Sequence, residues 1–461
     1  MAIDYYYIPN PPAYMSTQQT LNPTANTQRI TSMDIIRGIS LLGISLMNIV
    51  GFGLYKAYMD PTNSGGSTGW NLNVWWINSM FFEGTMRGMF SMLFGAGILL
   101  FTNRATENSN GVVVTDLFFR RLLWMLLFGV IHCYLLLWDG EILYGYAIVG
   151  MFAFSFRHLQ SKTLIIGVTV FLLITSAMNV KDYYQTKQTF ESASAARLKK
   201  DTGATLSKEE INAISAWEEK VKIDKATPEQ LKEEMEARSK GYFSIVKHKG
   251  PENEYMQTVF LYRIAFFDVL AMMLLGMAFL KNGILTAEKS NRFYLIMALI
   301  GYTIGITTNF FEAKYIIANN FGIVPMYKFM MTYHLGRIPT TMGHVAVIML
   351  FVKSGWLPFL QRSFAAVGQM AFTNYIMQSI ICNFIFLGYG FSMYGKLQRY
   401  ELYYIVFSVW ALQLIVSPIW LRYFRFGPLE WLWRSLTYWK KQPMLRLAGE
   451  SHLRNVPTTV S

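Results

Sequence analysis

Charge is scarce in this 461-residue chain: Asp, Glu, Lys and Arg together make up 15% of it, against 53% hydrophobic residues. With a mean hydropathy of +0.27, that balance excludes an ordinary soluble domain, in which about 25% of residues are charged. Cysteine is scarcer still. Cys133 and Cys382 are the two present, and both stand inside apolar runs, so neither a disulfide framework nor a metal cluster is indicated. Also missing are an internal repeat, a low-complexity tract, an apolar signal-type core in residues 1–30, metal-ligand spacing, a Ser-His-Asp order and a phosphate-cradling glycine loop. The excess of 41 Lys and Arg over 28 Asp and Glu gives a formal charge of +13. These basic residues gather at the ends of apolar runs rather than along one stripe, which argues for membrane anchoring and against nucleic acid.

What is abundant is apolar sequence of membrane-crossing length. A helix needs about 20 mostly apolar residues to cross the hydrocarbon core. Segments near 34–55, 73–102, 117–137, 141–157, 162–180, 256–280, 291–311, 328–352, 362–387 and 401–422 answer to that description. The expected fold is therefore all-α: a polytopic membrane helix bundle of about ten spans with an extramembrane helical hairpin insert. It divides into an N-terminal tail (1–30), a first membrane half (31–180), the insert (181–255), a second membrane half (256–425) and an interfacial C-terminal tail (426–461). Thr31-x-x-Asp34 reads as a capping box opening the first span, an anchor that is not cleaved. Arg29, Arg104, Arg120, Arg121, Arg157, Lys162, Lys281, Lys289, Arg292, Lys353 and Arg362 all fall on one side of a ten-span count, as do Arg422, Arg425, Arg434, Lys440 and Lys441. By the positive-inside rule both termini are cytoplasmic and the insert lies outside. Ser207-Lys-Glu-Glu210 and Thr227-Pro-Glu-Gln230 are capping boxes that start two Lys/Glu-rich helices of that insert, whose mixed charge reads first as a solvated face.

Polar side chains inside the spans are where function concentrates, because a charge at bilayer depth costs upwards of about 2.5 kcal/mol. Asp34 and Arg37 stand three apart near one end of the first span, with Asn48 about three turns on. Glu83 and Arg87, at i and i+4, are spaced to pair along one helix face. His132 interrupts "GVIHCYLLLWDGEIL", and Asp139 returns to nearly its face two turns later if the helix persists. A histidine whose tautomer is set by Asp139 or Glu141 would make a general base; a neutral, hydrogen-bonded histidine beside two helix-capping acids is the alternative. His334, Arg337 and His344 lie in the eighth span, the two histidines off a common face, and Asn374 and Gln378 share a face of the ninth. Each of these also has a bland account as a satisfied packing residue.

Six stretches, "RITSMDIIRGISLLGISLMNI", "FFEGTMRGMFSMLFGAG", "GVIHCYLLLWDGEILYGYAIVG", "DVLAMMLLGMAFLKNGIL", "VGQMAFTNYIMQS" and "FRFGPLEWLWRSLTY", together resemble the YeiB-like family, the domain of unknown function 418, from about Arg29 to Tyr438. That family distantly resembles the transmembrane acyltransferases, which include the lysosomal heparan glucosaminide acetyltransferase. The resemblance implies transfer of an acetyl-like group from cytoplasmic acyl-coenzyme A to a hydroxyl or amine on the far side of a bacterial cytoplasmic (inner) membrane. The acceptor could be a glycan, a lipid or a small metabolite, acyl-coenzyme A would be a co-substrate rather than a tightly bound cofactor, and a homodimer is compatible with the reading. In those acyltransferases a D-x-x-R-G opening precedes an asparagine and then a loop histidine. Asp34, Arg37, Gly38 and Asn48 match, but "IVGFGLYKAYMDP" has Met59 and Asp60 where the histidine is expected.

On this reading Arg37, Arg87, Arg120 and Arg121 attract the coenzyme's phosphates. His132 is the base, oriented by Asp139 or Glu141, and Asn48 donates to the thioester oxygen. Asp34, Glu83, His334, His344, Asn374 and Gln378 line the cavity, and no metal is involved. Two other functions stay open: a small-molecule or lipid transporter with Glu83, Arg87 and His132 on a polar path, and a non-catalytic scaffold or sensor built on the insert and the aromatic tail.

Overall fold

The computed structural model describes residues 30–106 and 111–446. Arg29 and the stretch past 446, both assigned above to the cytoplasmic side, lie outside the described residues, as does nearly all of the tail 1–30. Among the described residues the fold is entirely helical, with one isolated bridge between Phe424 and Leu445.

The helices run, in order, α1 Thr31–Gly53, α2 Trp70–Ile77, α3 Thr85–Thr106, α4 Gly111–Tyr134, α5 Leu143–Ala153, α6 Ser161–Asp201, α7 Lys208–Asp224, α8 Pro228–Arg238 and α9 Tyr242–Tyr255. After these come α10 Phe266–Lys281, α11 Asn291–Ala318, α12 Ile323–Met330, α13 Tyr333–Ser354, α14 Pro358–Gln369, α15 Ala371–Phe386, α16 Leu402–Tyr423 and α17 Pro428–Tyr438. Short π-helical stretches extend α2 through Asn78–Phe82 and join α9 to α10 through Met256–Ala265. Seven of the helical stretches are long and apolar enough to cross a membrane: those at 31–53, 70–103, 161–201, 242–281, 291–318, 333–354 and 402–423. Leu143–Phe156 and Ala371–Phe386 are shorter apolar helices.

Burial sorts these helices into a centre and a rim. Every residue of α10 from Asp268 to Phe279 is buried, and 78% of the apolar window of α1 is buried against 17% for α6. α1, α3 and α10 thus form the middle of the bundle, while α6, α11 and α16 turn wide apolar faces outward, as lipid-facing helices do. α1 and α14 cross backbone to backbone. A Cβ on Gly38 would sit 2.0 Å from the Phe364 carbonyl oxygen, and one on Gly368 would sit 1.9 Å from that of Asp34.

The two ends of α4 define two faces. About three turns in from its start the Trp433 indole of α17 donates to the Arg121 carbonyl (2.9 Å); at its finish Asn253 of α9 donates to the Cys133 carbonyl (2.9 Å). The aromatic tail and the insert therefore lie on opposite faces, called here the tail face and the insert face.

Three local expectations are corrected. The first is the capping box at Thr31: the helix begins at Thr31 itself, Ile30 holds the cap position without a side-chain bond, and Asp34 turns instead to Arg37 (2.8 Å). The second is where the insert starts. α6 has 41 residues, about 60 Å of helix and twice the hydrocarbon thickness, so it runs straight out of the bundle and the insert is its outer half plus α7, α8 and α9. Both capping boxes within the insert are present, at Ser207 with Glu210 and at Thr227 with Gln230. The third is the persistence of the His132 helix. It ends at Tyr134, and Leu137 takes a positive φ of 58°, so Asp139 never returns to the histidine's face.

Candidate functional site

Near the tail face, α1, α3, α4, α5, α15 and α17 enclose a cavity of about 300 Å³. Its lining joins Arg37, Arg121 and Arg434 to an aromatic and aliphatic interior that includes Phe90, Phe94, Phe101, Tyr146 and Tyr375. Arg37 is paired with Asp34. Arg121 stacks on Trp433 at 4.2 Å and on Phe101 at 5.5 Å, and among the described residues no carboxylate lies at ion-pair distance from it. The cavity thus presents an unneutralised planar cation beside aromatic rings. Glu430 also lines it, but its carboxylate is occupied: it accepts the Phe372 and Thr373 N–H groups (2.7 and 3.1 Å) and the Thr373 hydroxyl (2.6 Å), capping the start of α15. Burial raises the Glu430 carboxyl from its ordinary value, and these donors oppose the rise.

Beyond the inner end of the cavity sits a buried ion cluster. The hydroxyl of Tyr146 reaches the Arg87 carbonyl (3.3 Å) and shares a hydrogen bond with Ser91 (2.6 Å). Arg87 pairs with Asp268 of α10 (3.1 Å), and Arg337 of α13 grips the same carboxylate with two hydrogen bonds, one of them at 3.0 Å. Arg337 also donates to His334 Nδ1 (3.1 Å). The expected Glu83–Arg87 pair does not form. Gly84, at φ 66°, breaks the helix between them, so i,i+4 geometry does not apply; a Cβ there would meet the Tyr333 hydroxyl at 2.1 Å. Glu83 instead accepts the hydroxyls of Tyr333 (3.2 Å) and Tyr58 (3.5 Å).

On the insert-face side of this cluster lies a second cavity of about 30 Å³, lined by Tyr58, Met59, Asn78, Glu83, Asn309, Glu312, Tyr333, Arg337 and Arg399 among others. Arg399, in the turn before α16, is 1% exposed. It donates to the Ala57 carbonyl, and no described carboxylate pairs with it. Burial pushes its guanidinium down to about 10.

His132 reaches neither cavity lining. It is 1% exposed, and its Nε2 shares a hydrogen bond with Ser379 Oγ of α15 (2.8 Å), while Nδ1 faces Glu141 Oε1 at 3.8 Å. Its ring meets that of Tyr375, a cavity residue, edge-on at 5.0 Å between centroids. Ser379 and His132 are thus hydrogen-bonded, whereas Glu141 stands beside Nδ1 beyond hydrogen-bond distance. Glu141 is committed to the Leu143 and Tyr144 N–H groups, the latter at 2.9 Å, as the cap of α5. Asp139 does not orient the histidine. It pairs with Lys249 of α9 (3.2 Å).

The other sequence candidates divide. Asn48 lines neither cavity. Arg120 turns away to Asp116 and the Thr437 carbonyl. His344 donates to the Phe81 carbonyl (2.7 Å) and accepts the Tyr302 hydroxyl (2.9 Å), a satisfied packing histidine. Asn374 donates to Ser417 (3.0 Å) and Gln378 to Gln413 (3.0 Å), tying α15 to α16. Of the expected cavity residues, Asp34 borders the larger cavity and Glu83 the smaller. Sequence reasoning missed Asp268, although a lone carboxylate inside an apolar span demands cationic partners, and Arg87 and Arg337 were in view. Among the described residues no group of three or more His, Cys, Asp or Glu is arranged to hold a metal.

Comparison with known proteins supplies a family. The family model described as "Protein of unknown function (DUF418)" matches residues 279–440. "Uncharacterized protein YxaH" of Bacillus subtilis (strain 168) is 30% identical over 438 residues, covering 93% of this chain and 98% of that protein. "Uncharacterized protein YeiB" of Escherichia coli (strain K12) is 29% identical over 436 residues, covering 92% and 98%. No solved structure matches. With a relative of that identity aligned almost end to end and a family model covering its last membrane helices, the chain belongs to the YeiB-like, DUF418 family.

Proposed function

We propose that this protein is a membrane acyltransferase that takes an acyl group from acyl-coenzyme A at the tail face and delivers it to an acceptor from the insert face. The observation that carries the reading is the cavity of about 300 Å³ in which Arg121, unpaired by any described carboxylate, stacks on Trp433 above an apolar interior. A nucleotide thioester has that polarity: phosphates for a guanidinium fork, a base for aromatic rings, and an apolar arm for the interior. In this assignment the tail face is cytoplasmic, as the distribution of basic residues between spans favours, and the chain crosses a bacterial inner membrane about ten times. Arg37 and Arg121 attract the coenzyme, whereas Arg87 and Arg120 serve structure. His132 acts through the Tyr375 ring and Ser379 that it orders.

Thermal unfolding of the purified full chain in detergent tests the donor half. Acetyl-coenzyme A at millimolar concentration raises the midpoint by several degrees, and Arg121→Ala removes most of that shift while leaving the unliganded midpoint within a degree or two. A midpoint unmoved by coenzyme A and acetyl-coenzyme A alike contradicts the reading. The permease alternative keeps one observation in its favour: two cavities on either side of a buried ion cluster also describe a path with a central barrier.

A further inference from the structure

The smaller cavity contains more unmet hydrogen-bonding capacity than packing explains. Glu83 Oε2, Arg337 Nε and Arg399 Nε are each buried without a partner among the described residues, and all three residues line that one cavity. Leaving a buried donor or acceptor unmade costs about 1–3 kcal/mol each, more for charged groups, so native structures rarely keep three together without something to satisfy them. Arg337 and Arg399 are 2% and 1% exposed, so bulk water is not their partner. Other residues hold the geometry. The Tyr58 and Tyr333 hydroxyls occupy Glu83 Oε1 and leave Oε2 open, Asp268 fixes the far side of the Arg337 guanidinium, and the Ala57 carbonyl anchors Arg399.

The chemistry of the three atoms selects a ligand atom. Glu83 Oε2 accepts only, and the two guanidinium N–H groups donate only. A single group that satisfies both kinds must donate and accept at once. A hydroxyl does this, whether it belongs to water or to an alcohol that displaces it; an ammonium cannot accept, and a carboxylate cannot donate. A cavity of about 30 Å³ holds two or three such small groups, since one needs roughly 10–15 Å³. Tyr58, 39% exposed, stands at the insert-face side of the lining.

We infer that the cavity bounded by Glu83, Arg337 and Arg399 is a binding site for an alcohol hydroxyl, entered from the insert face. Its assignment as the acceptor subsite rests on the acyltransferase reading; its selectivity for a hydroxyl does not. The acceptor is then an alcohol, such as a sugar or polyol, rather than an alkylammonium, and only its hydroxyl-bearing end enters the cavity.

Carbodiimide labelling of the full chain in detergent, read by peptide mass spectrometry at Glu83, tests the site without any acyl donor. Ethanol slows modification of Glu83 several-fold at a concentration where acetonitrile, of similar size but unable to donate, leaves it unchanged. Arg399→Lys, which keeps the charge and removes Nε, reduces the protection to less than half, and Glu83→Gln identifies the labelled position. Equal protection by ethanol and acetonitrile, no protection by either, or a Glu83 that does not react overturns the inference. A thermal shift with coenzyme A alongside failed protection rejects the hydroxyl site and leaves the donor half standing. Protection without a coenzyme shift does the reverse.

Discussion

At the residue scale the organising group is Asp268, a single carboxylate in the first turn of α10 that binds Arg87, Arg337 and, more distantly, His334 at 3.8 Å. Removing one member of a buried ion network strands the remaining charges, at about 3–5 kcal/mol. Asp268→Asn therefore lowers the thermal midpoint sharply or prevents accumulation of folded protein. Asp34→Asn, which breaks a pair to an Arg37 side chain that is 29% exposed and can turn to solvent, costs less than Asp268→Asn. Equal effects of the two substitutions in detergent unfolding would contradict the central role of Asp268. The sequence made the individual ions visible but not their partners. Glu83 and Arg87 looked paired because helical spacing says so, and one glycine between them redirected each to a different helix. His132 was legible as a buried titratable group, whereas Ser379, 247 positions away, has no sequence signal tying it to that histidine.

At the scale of elements, the bundle depends on close helix crossings and deliberate breaks. Gly38 on α1 faces the Phe364 carbonyl at 2.0 Å from its would-be Cβ, so Gly38→Val must push α14 away. That costs about 1–3 kcal/mol by the usual penalty for overpacking and distorts the cavity that Arg37 and Gly368 border. Gly97→Ala, where a Cβ would meet nothing within 4 Å, should be neutral in the same unfolding measurement. A tolerated Gly38→Val with unchanged coenzyme response would mean that the α1–α14 contact is not needed for the cavity. Apolar runs announced most helices, since span length and hydropathy are local properties. Where helices end was less legible: the stop after Tyr134, which separates Asp139 from His132, comes from tertiary contacts of "LLLWDGE" with α9, not from a proline or a capping residue. The continuation of α6 into the insert was hidden for a similar reason, because its sequence turns polar without any helix-breaking residue.

The whole molecule has two unlike faces joined through a sealed centre, and the insert is bound to its face by buried ion pairs. Burial alone would raise the Asp139 carboxyl, but Lys249 and Arg238 of the insert hold it below its ordinary value; within the insert itself, Glu234 is likewise lowered by Arg238 and His248 against its burial. Acids lowered in the folded state lend their full stabilisation above the ordinary carboxylate range near pH 4 and lose it as pH falls through their lower folded values. Protection of 205–255 from limited proteolysis should therefore fail as pH falls below about 4; protection unchanged down to about pH 2 would assign the docking to other groups. That the chain is a bundle of apolar helices is legible in the sequence, but the pairing of a basic, aromatic cavity with a small hydroxyl-sized one appears only when distant helices are assembled. Reconstitution in liposomes tests that pairing most directly, with isotopically labelled acetyl-coenzyme A presented to the tail face and a panel of alcohols to the insert face. The account predicts a labelled acetyl ester on the insert-face side, formed together with free coenzyme A and reduced at least tenfold in Arg121→Ala. Movement of an unmodified solute across the bilayer, with no covalent product from any alcohol, would contradict it.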